Sequence, residues 1–278
     1  MSEPDGAGPA RSEVGGDTML PFDDRGLAYG DGVFETVLVR DHRPTLWQAH
    51  HARLVHGCEV LGMCPPDREA LEAAFAGAAG LKVTKLIVTR GSGGRGYLPP
   101  AQPKVRLRWR STVFVPDAAR WSAGVEVGLC RLRLARQPAL AGIKHLNRLE
   151  NVLARAEWRG EKIAEGLLAD QQGWLTEATA MNLCWHDGRR WFTPPLEQCG
   201  VAGTLRAALL EAGSLEIAPL HLDELTRARA LCLINSVQGL WPLRRLHFPT
   251  QREPFEPPLA DAHLALQRSA HRLLGYHR

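Results

Sequence analysis

Apolar positions between residues 46 and 63 return at steps of three and four: Leu46, Ala49, Leu54, Cys58 and Leu61 fall on one stripe. That spacing predicts a helix over 46–63, with Arg53 set along its inward side. Asp67 as N-cap and Gly80 past the end predict a second helix over 67–79. Alternating or β-branched apolar runs predict strands at 82–89, 105–115 and 125–134, the first two flanking a glycine-rich loop. An amphipathic stretch predicts a helix over 146–159 that stops at Gly160. Short strands are expected at 165–170, 174–178 and 183–186, a helix at 204–212 before Gly213, strands at 215–219 and 230–234, and a closing helix at 258–275. Strands and helices are mixed through the whole chain, so the fold class is α/β (α+β). The turn-rich stretch from Pro116 to Gly124 predicts an interdomain break. It divides the chain into a smaller N-terminal domain at 18–117, a linker at 118–124 and a larger C-terminal domain at 125–278. The Gly, Pro and acidic content of 1–17 predicts a disordered tail.

Composition narrows the function classes. With 45% hydrophobic and 23% charged residues the chain has a globular composition, and no apolar run approaches the ~20 residues of a membrane span. The N-terminal residues lack a basic start and apolar centre, so a cytoplasmic location is expected. A net charge of +4, with dispersed arginines, argues against a nucleic-acid partner. Six cysteines without a Cys-x-x-Cys pair read as buried or spare thiols, and no metal site is expected.

The cations carry more information. Of 34 Lys plus Arg only five are lysine: Lys82, Lys85, Lys104, Lys144 and Lys162. Arginine serves a surface or a carboxylate as well as lysine does, but it keeps its proton and forms no Schiff base with an aldehyde. Lys144, between an apolar approach and a polar helix start, is the candidate for amine chemistry, because partial burial lowers a lysine pKa. The count alone leaves a spared surface lysine equally open. Glu177 falls on a short strand among small and apolar residues, where a charge needs a cationic partner. An arginine could fill that role. Gly200-Val-Ala-Gly-Thr-Leu-Arg206 opens a helix, and free backbone N–H groups there attract an anion. The loop Arg90-Gly-Ser-Gly-Gly-Arg-Gly-Tyr97 can bring backbone to a ligand, with Arg95 placed to fork a carboxylate, or it is a solvated hairpin tip.

Three collinear motifs carry a resemblance: Asp24-Arg-Gly-Leu-Ala-Tyr-Gly-Asp-Gly-Val-Phe-Glu-Thr36, Arg90 to Tyr97, and Gly142-Ile-Lys-His-Leu-Asn-Arg-Leu-Glu-Asn151. Together they resemble the 4-amino-4-deoxychorismate lyases of the class IV aminotransferase-like family, from about Leu20 to the end of the chain. The resemblance implies a two-domain enzyme of fold type IV, with a smaller N-terminal α/β domain, a larger C-terminal pseudo-barrel and pyridoxal 5'-phosphate as cofactor. It implies that Lys144 holds the cofactor aldehyde and that Glu177, in Thr-Glu-x-x-x-x-Asn-Leu, holds the pyridine nitrogen. The phosphate then falls to Gly203, Thr204 and Leu205, to Arg53, and to the second loop at Asn235 and Ser236. On the substrate side it implies Arg95 and Tyr29, and loop geometry adds Arg90 as second choice; no tyrosine closely follows Lys144 as in the aminotransferases, which leaves the partner of the cofactor phenolate open, with Asn147 as a candidate. The implied reaction eliminates pyruvate from aminodeoxychorismate to leave 4-aminobenzoate, in a homodimer. Glu35 is shared with aminotransferases of the class and keeps the D-amino-acid or branched-chain aminotransferase as the alternative.

Overall fold

In the computed structural model, which describes residues 13–15, 19–158, 160, 162–250, 253–258 and 261–276, the chain builds two sheets. The first half contributes β1 (Glu13–Gly15), α1 (Arg25–Tyr29), β2 (Gly32–Arg40), β3 (Arg43–Pro44), α2 (Trp47–Val60), α3 (Arg68–Glu72), β4 (Leu81–Thr89) and β5 (Arg106–Val113). Its five strands lie in the order β1-β5-β4-β2-β3, and every pairing is antiparallel. Period-two alternation gives β2 two different faces. Val33, Val37 and Val39 pack with Leu86 and Val88 against Leu54 and Cys58 of α2, while Phe34 and Thr36 look the other way. Gly57 lets α2 lie close on β2, since a Cβ there would come within 3.0 Å of the Val33 side chain. One helical turn earlier that contact sets the position of Arg53.

The second half adds α4 (Ala118–Ser122), β6 (Val125–Leu134), α5 (Leu149–Glu157), β7 (Ile163–Asp170), β8 (Leu175–Ala178), β9 (Asn182–His186), β10 (Trp191–Thr193), α6 (Thr204–Glu211), β11 (Glu216–Ile217), β12 (Ala230–Asn235), β13 (Gly239–His247) and α7 (Leu264–Leu273). The strand order is β11-β10-β9-β12-β13-β6-β7-β8, and β8 pairs back to β9, so six of the strands close a barrel. Leu129, Leu167, Leu183, Leu233 and Leu243 are among the side chains that fill it. Leu38 of the first sheet joins Leu205, Leu209, Leu266 and Ala270 in a cluster that packs β2 against α6 and α7. Each such buried leucine contributes ~1.5–3 kcal/mol.

Several expectations change. The predicted helix over 67–79 is a five-residue α3 followed by a 3-10 turn, Ala73–Phe75. The tightening puts Phe75 edge-on against Trp47, with ring centroids 4.9 Å apart. The linker is not irregular throughout: 118–122 forms α4, with the Asp117 side chain accepting from the Arg120 N–H. The helix expected from 146 starts at Leu149, because Leu146 donates its N–H to Gly32 and His145 bridges to Val33. β2, β3, β10 and β13 were not expected. β10 is too short to alternate, and β13 carries Pro242, which sits before the pairing with β6 begins at Leu243. The tail expected at 1–17 lies outside the described residues except for Glu13–Gly15, which pair with β5.

Candidate active site

Between the two sheets lies a cavity of about 370 Å³. The inward face of β2 supplies Phe34 and Thr36, the turn before α5 supplies Lys144 and Arg148, β8 supplies Glu177, and the start of α6 supplies Gly203 and Thr204. Lys144 is fixed from both sides: Ile143 is fully buried before it, and its own carbonyl accepts from Phe34 N–H at 3.0 Å. The ammonium lies 4.4 Å from the Phe34 ring centroid. Burial, helped by the Arg53 charge and opposed by Glu35, pushes its pKa down to about 8. At neutral pH roughly a tenth of such an amine is unprotonated and nucleophilic.

Glu177 faces Lys144 across the cavity wall and is 4% exposed. Its carboxylate accepts the Val201 N–H at 2.8 Å. Burial pushes its pKa up, opposed by the charge of Arg148. A buried carboxylate with a raised pKa and one backbone donor is short of a cationic N–H partner. A protonated pyridine nitrogen is such a partner.

At the far end, α6 begins without a side-chain cap at Gly203, so the N–H groups of its first turn remain available. Glycine is required at that point, because a Cβ would come within 1.9 Å of Asn182 Oδ1. Asn182 in turn donates to the Val201 carbonyl at 2.8 Å, and Arg53 donates to the Ala202 carbonyl at 2.9 Å, so side chains hold both residues ahead of the cap. Arg53 is itself gripped by Glu35, Nε to Oε1 at 2.7 Å and the second nitrogen to Oε2 at 2.5 Å. His50, fully buried, donates from Nδ1 to Glu35 at 2.7 Å, and its Nε2 lies 3.2 Å from Thr204 Oγ1. Although burial pushes the Glu35 carboxyl up, Arg53 and His50 hold it at about 2. An amine, a lone buried carboxylate and an uncapped helix start within one cavity fit the aldehyde, ring nitrogen and phosphate of pyridoxal 5'-phosphate.

The structure brings together Lys144, Glu177, Arg53, Gly203, Thr204, Asn235 and Ser236 around this cavity. Leu205 is fully buried in the core, so its backbone N–H is what it can offer. Four expected residues stand elsewhere. Arg90 is 7% exposed and committed: it pairs with Asp31 at 2.7 Å and donates to the carbonyls of Leu61 and Gly62. Tyr29 is 43% exposed and packs against Tyr97, with centroids 5.4 Å apart, and against the Arg25 guanidinium. Asn147 is exposed, and its backbone packs against Gly30. Arg95 is exposed at the tip of its loop. Sequence reasoning missed Phe34, Thr36, Arg148 and Asn151, although all four fall inside the quoted motifs. Arg148 points back to the carbonyls of Ile143 and His145 at 2.7 and 3.1 Å, and Asn151 donates to the Thr179 carbonyl at 3.0 Å. The burial of Cys58 and Cys130 pushes both thiols up to about 12, which leaves them inert. A second cavity, about 390 Å³ beside β6 and β13, is lined by Glu126, Arg245 and Glu256, which pair with one another, and has no lysine.

The profile of the family described as amino-transferase class IV matches residues 32–246. An aminodeoxychorismate lyase from Vibrio harveyi is 34% identical over 250 residues, 86% of this chain and 91% of its own length. The crystal structure of 4-amino-4-deoxychorismate lyase from Pseudomonas aeruginosa superposes with a TM-score of 0.82 at 42% identity, covering 95% of this chain and 98% of that one. A fold IV-transaminase from Curtobacterium pusillum superposes with a TM-score of 0.70 at 27% identity, covering 93% and 91%.

Proposed function

The chain belongs to the class IV aminotransferase family, and from that footing we propose that it is a pyridoxal 5'-phosphate-dependent aminodeoxychorismate lyase. It releases pyruvate and leaves 4-aminobenzoate, a folate precursor. The observation that carries this reading is near-full-length likeness: the two lyases are 34% and 42% identical, against 27% for the transaminase.

When bound, the cofactor supplies an aldehyde for the substrate amine and a ring that takes up the electron pair left by a departing proton. The protein's own groups hold and aim it. Glu177 would take the ring nitrogen, while the first N–H groups of α6, Arg53 and the turn at Asn235 and Ser236 would take the phosphate. Lys144, with its pKa near 8, is the amine that would hold the cofactor's aldehyde and give it up to the substrate amine. The freed amine then removes the proton from the ring carbon that bears the nitrogen. The neighbouring carbon–oxygen bond breaks, and the proton ends on the departing pyruvate, so no water or acceptor is consumed. Phe34 and Thr36 wall the reacting ring on the β2 side.

Glu35 does not decide between lyase and aminotransferase, because it faces Arg53 and His50 behind the cavity and anchors a phosphate for either chemistry. A homodimer is part of the reading. Leu149, Val152 and Leu153 on α5 are 69%, 60% and 60% exposed, an apolar face suited to a second copy. Arg95, on its exposed loop, would serve the cavity of that copy. A cytoplasmic location belongs to the same reading. Cofactor-loaded protein, given enzymatically generated aminodeoxychorismate and no keto acid, is expected to release 4-aminobenzoate and pyruvate in equal amounts, and Lys144→Ala to release neither. Release of neither by the unmodified protein, with amino-group exchange once a keto acid is added, would assign it to the aminotransferases.

A further inference from the structure

His50 is fully buried on α2 and stands behind the phosphate cradle. Its Nδ1 meets Glu35 at 2.7 Å, and its Nε2 lies 3.2 Å from the hydroxyl of Thr204, the first residue of α6. Thr204 lines the cavity and His50 does not, so the hydroxyl stands between the ring and a ligand of the cradle.

Counting protons along this row gives two settings. Arg53 and His50 hold the Glu35 carboxyl at about 2, so it is ionised and can only accept. Nδ1 therefore keeps its proton in both settings. With the ring neutral, Nε2 carries a lone pair, the Thr204 hydroxyl donates to it, and the hydroxyl turns its own lone pairs toward the cavity. With the ring protonated, Nε2 donates to Thr204 Oγ1 and frees the hydroxyl proton for the cavity. The first setting repels an anion, and the second binds one.

The charged groups that face His50 are Glu35 from β2, Arg53 one turn along α2, and Lys144 from the turn before α5. Burial pushes the imidazole pKa below its ordinary value, Glu35 opposes, and Arg53 and Lys144 add to the fall. These groups by themselves leave the ring neutral at pH 7. A phosphate monoester at the start of α6 brings about −1.5 to −2 charges, and a nearby opposite charge favours the protonated imidazole.

We propose that His50 is a positioning residue for the cofactor: it takes up a proton as the phosphate enters, and so turns the Thr204 hydroxyl to donate to that phosphate. The proton comes from solvent and ends on Nε2, and no covalent bond of the cofactor changes. Loading is then coupled to a proton whichever reaction follows, and affinity for the phosphate falls as pH rises.

NMR of isotope-labelled imidazoles in the full-length, cofactor-loaded protein tests this directly, with the His50 signals identified by their loss in His50→Asn. Both ring nitrogens of His50 are expected to carry protons at pH 7, and Nε2 to lose its proton once the cofactor is stripped. Calorimetry of the stripped protein with phenyl phosphate, in buffers of different ionisation enthalpy, then counts the protons taken up. Thr204→Val, which removes the hydroxyl, and His50→Asn, which keeps an N–H for Glu35 but has no group for Thr204, are each expected to take up about one proton fewer than the parent. Each is expected to bind the probe about tenfold more weakly, while Thr204→Ser retains both the proton and the affinity. All these proteins keep Lys144, so its own titration cancels in the comparison. A neutral His50 in the loaded protein would overturn the proposal. So would a proton count that Thr204→Val leaves unchanged, which would reduce His50 to a spacer between Glu35 and α6.

Discussion

Asp31 and Glu35 lie four positions apart, and each takes hydrogen bonds from two basic side chains, yet they stabilise different things. Asp31, 13% exposed, takes Arg25 at 2.8 Å and Arg90 at 2.7 Å. The spare N–H groups of Arg25 reach the carbonyls of Gly96 and Tyr97 at 3.0 and 3.1 Å, so this pair of arginines shapes the glycine-rich loop. Glu35, 1% exposed, takes His50 and Arg53, and through them grips the residues that open α6. The same device therefore builds a rim in one place and a cofactor anchor in the other. Burial sets the difference, since a buried carboxylate loses water as its alternative partner.

Glu35→Ala should have the largest effect. It leaves Arg53 without its counter-charge and His50 Nδ1 without its acceptor, and is expected to cost about 3–5 kcal/mol in urea unfolding, together with lost affinity for pyridoxal 5'-phosphate. The sign with pH follows from the lowered pKa. The stabilisation from Glu35 is present above the ordinary value of 4.5 and is lost as pH falls toward about 2, so the gap between variant and parent should close over that range.

Next in size, and opposite in direction, is Lys144→Met. A lysine whose pKa falls from 10.5 to about 8 destabilises the fold while it is charged, because the unfolded chain binds the proton more tightly. The variant, measured without cofactor, should be more stable by about 3 kcal/mol below pH 8, with the advantage shrinking as pH rises toward 10.5. Equal stability of variant and parent at pH 7 would mean that the amine is better solvated than its place in the cavity implies.

Asp31→Asn should be mildest, about 1 kcal/mol, because its partners keep carbonyl contacts and the site is nearer solvent. Its expected signature is faster proteolysis between Gly91 and Leu98 with unchanged cofactor affinity. A loss of cofactor affinity as large as that of Glu35→Ala would erase the distinction between rim and anchor.

Part of this arrangement could be read from the chain. Lys144 stood out as one of few lysines, Gly203 as a glycine opening a helix, and Arg53 as a cation on an otherwise apolar helical stripe. These signals are local, carried by composition or by period. Phe34 and Thr36 sit on β2, a strand the sequence pattern did not predict, and depend on which of its faces turns toward the barrel. Arg148 was hidden by the late start of α5: a hydrogen bond from Leu146 to Gly32, more than a hundred residues away, delays the helix and turns Arg148 back toward Lys144. Asn147, one position earlier, then faces solvent. Arg90 carried the same local signal as Arg95, and only the fold shows that Asp31 occupies it. β13 escaped because Pro242 is a poor strand residue, tolerated where one side of the strand has no partner until Leu243.

The barrel has a seam. β8 and β9 close it through a single opposed pair, Glu177 and Asn182, while its other neighbouring strands meet over longer stretches. One member of that pair faces the ring nitrogen in the proposed complex, and the other braces the loop beneath the phosphate. A cofactor seated there would span the join like a rivet through two plates. Loading the enzyme and finishing its fold would then be the same event, and the weakest closure of the barrel would be the one reinforced by the molecule it exists to use.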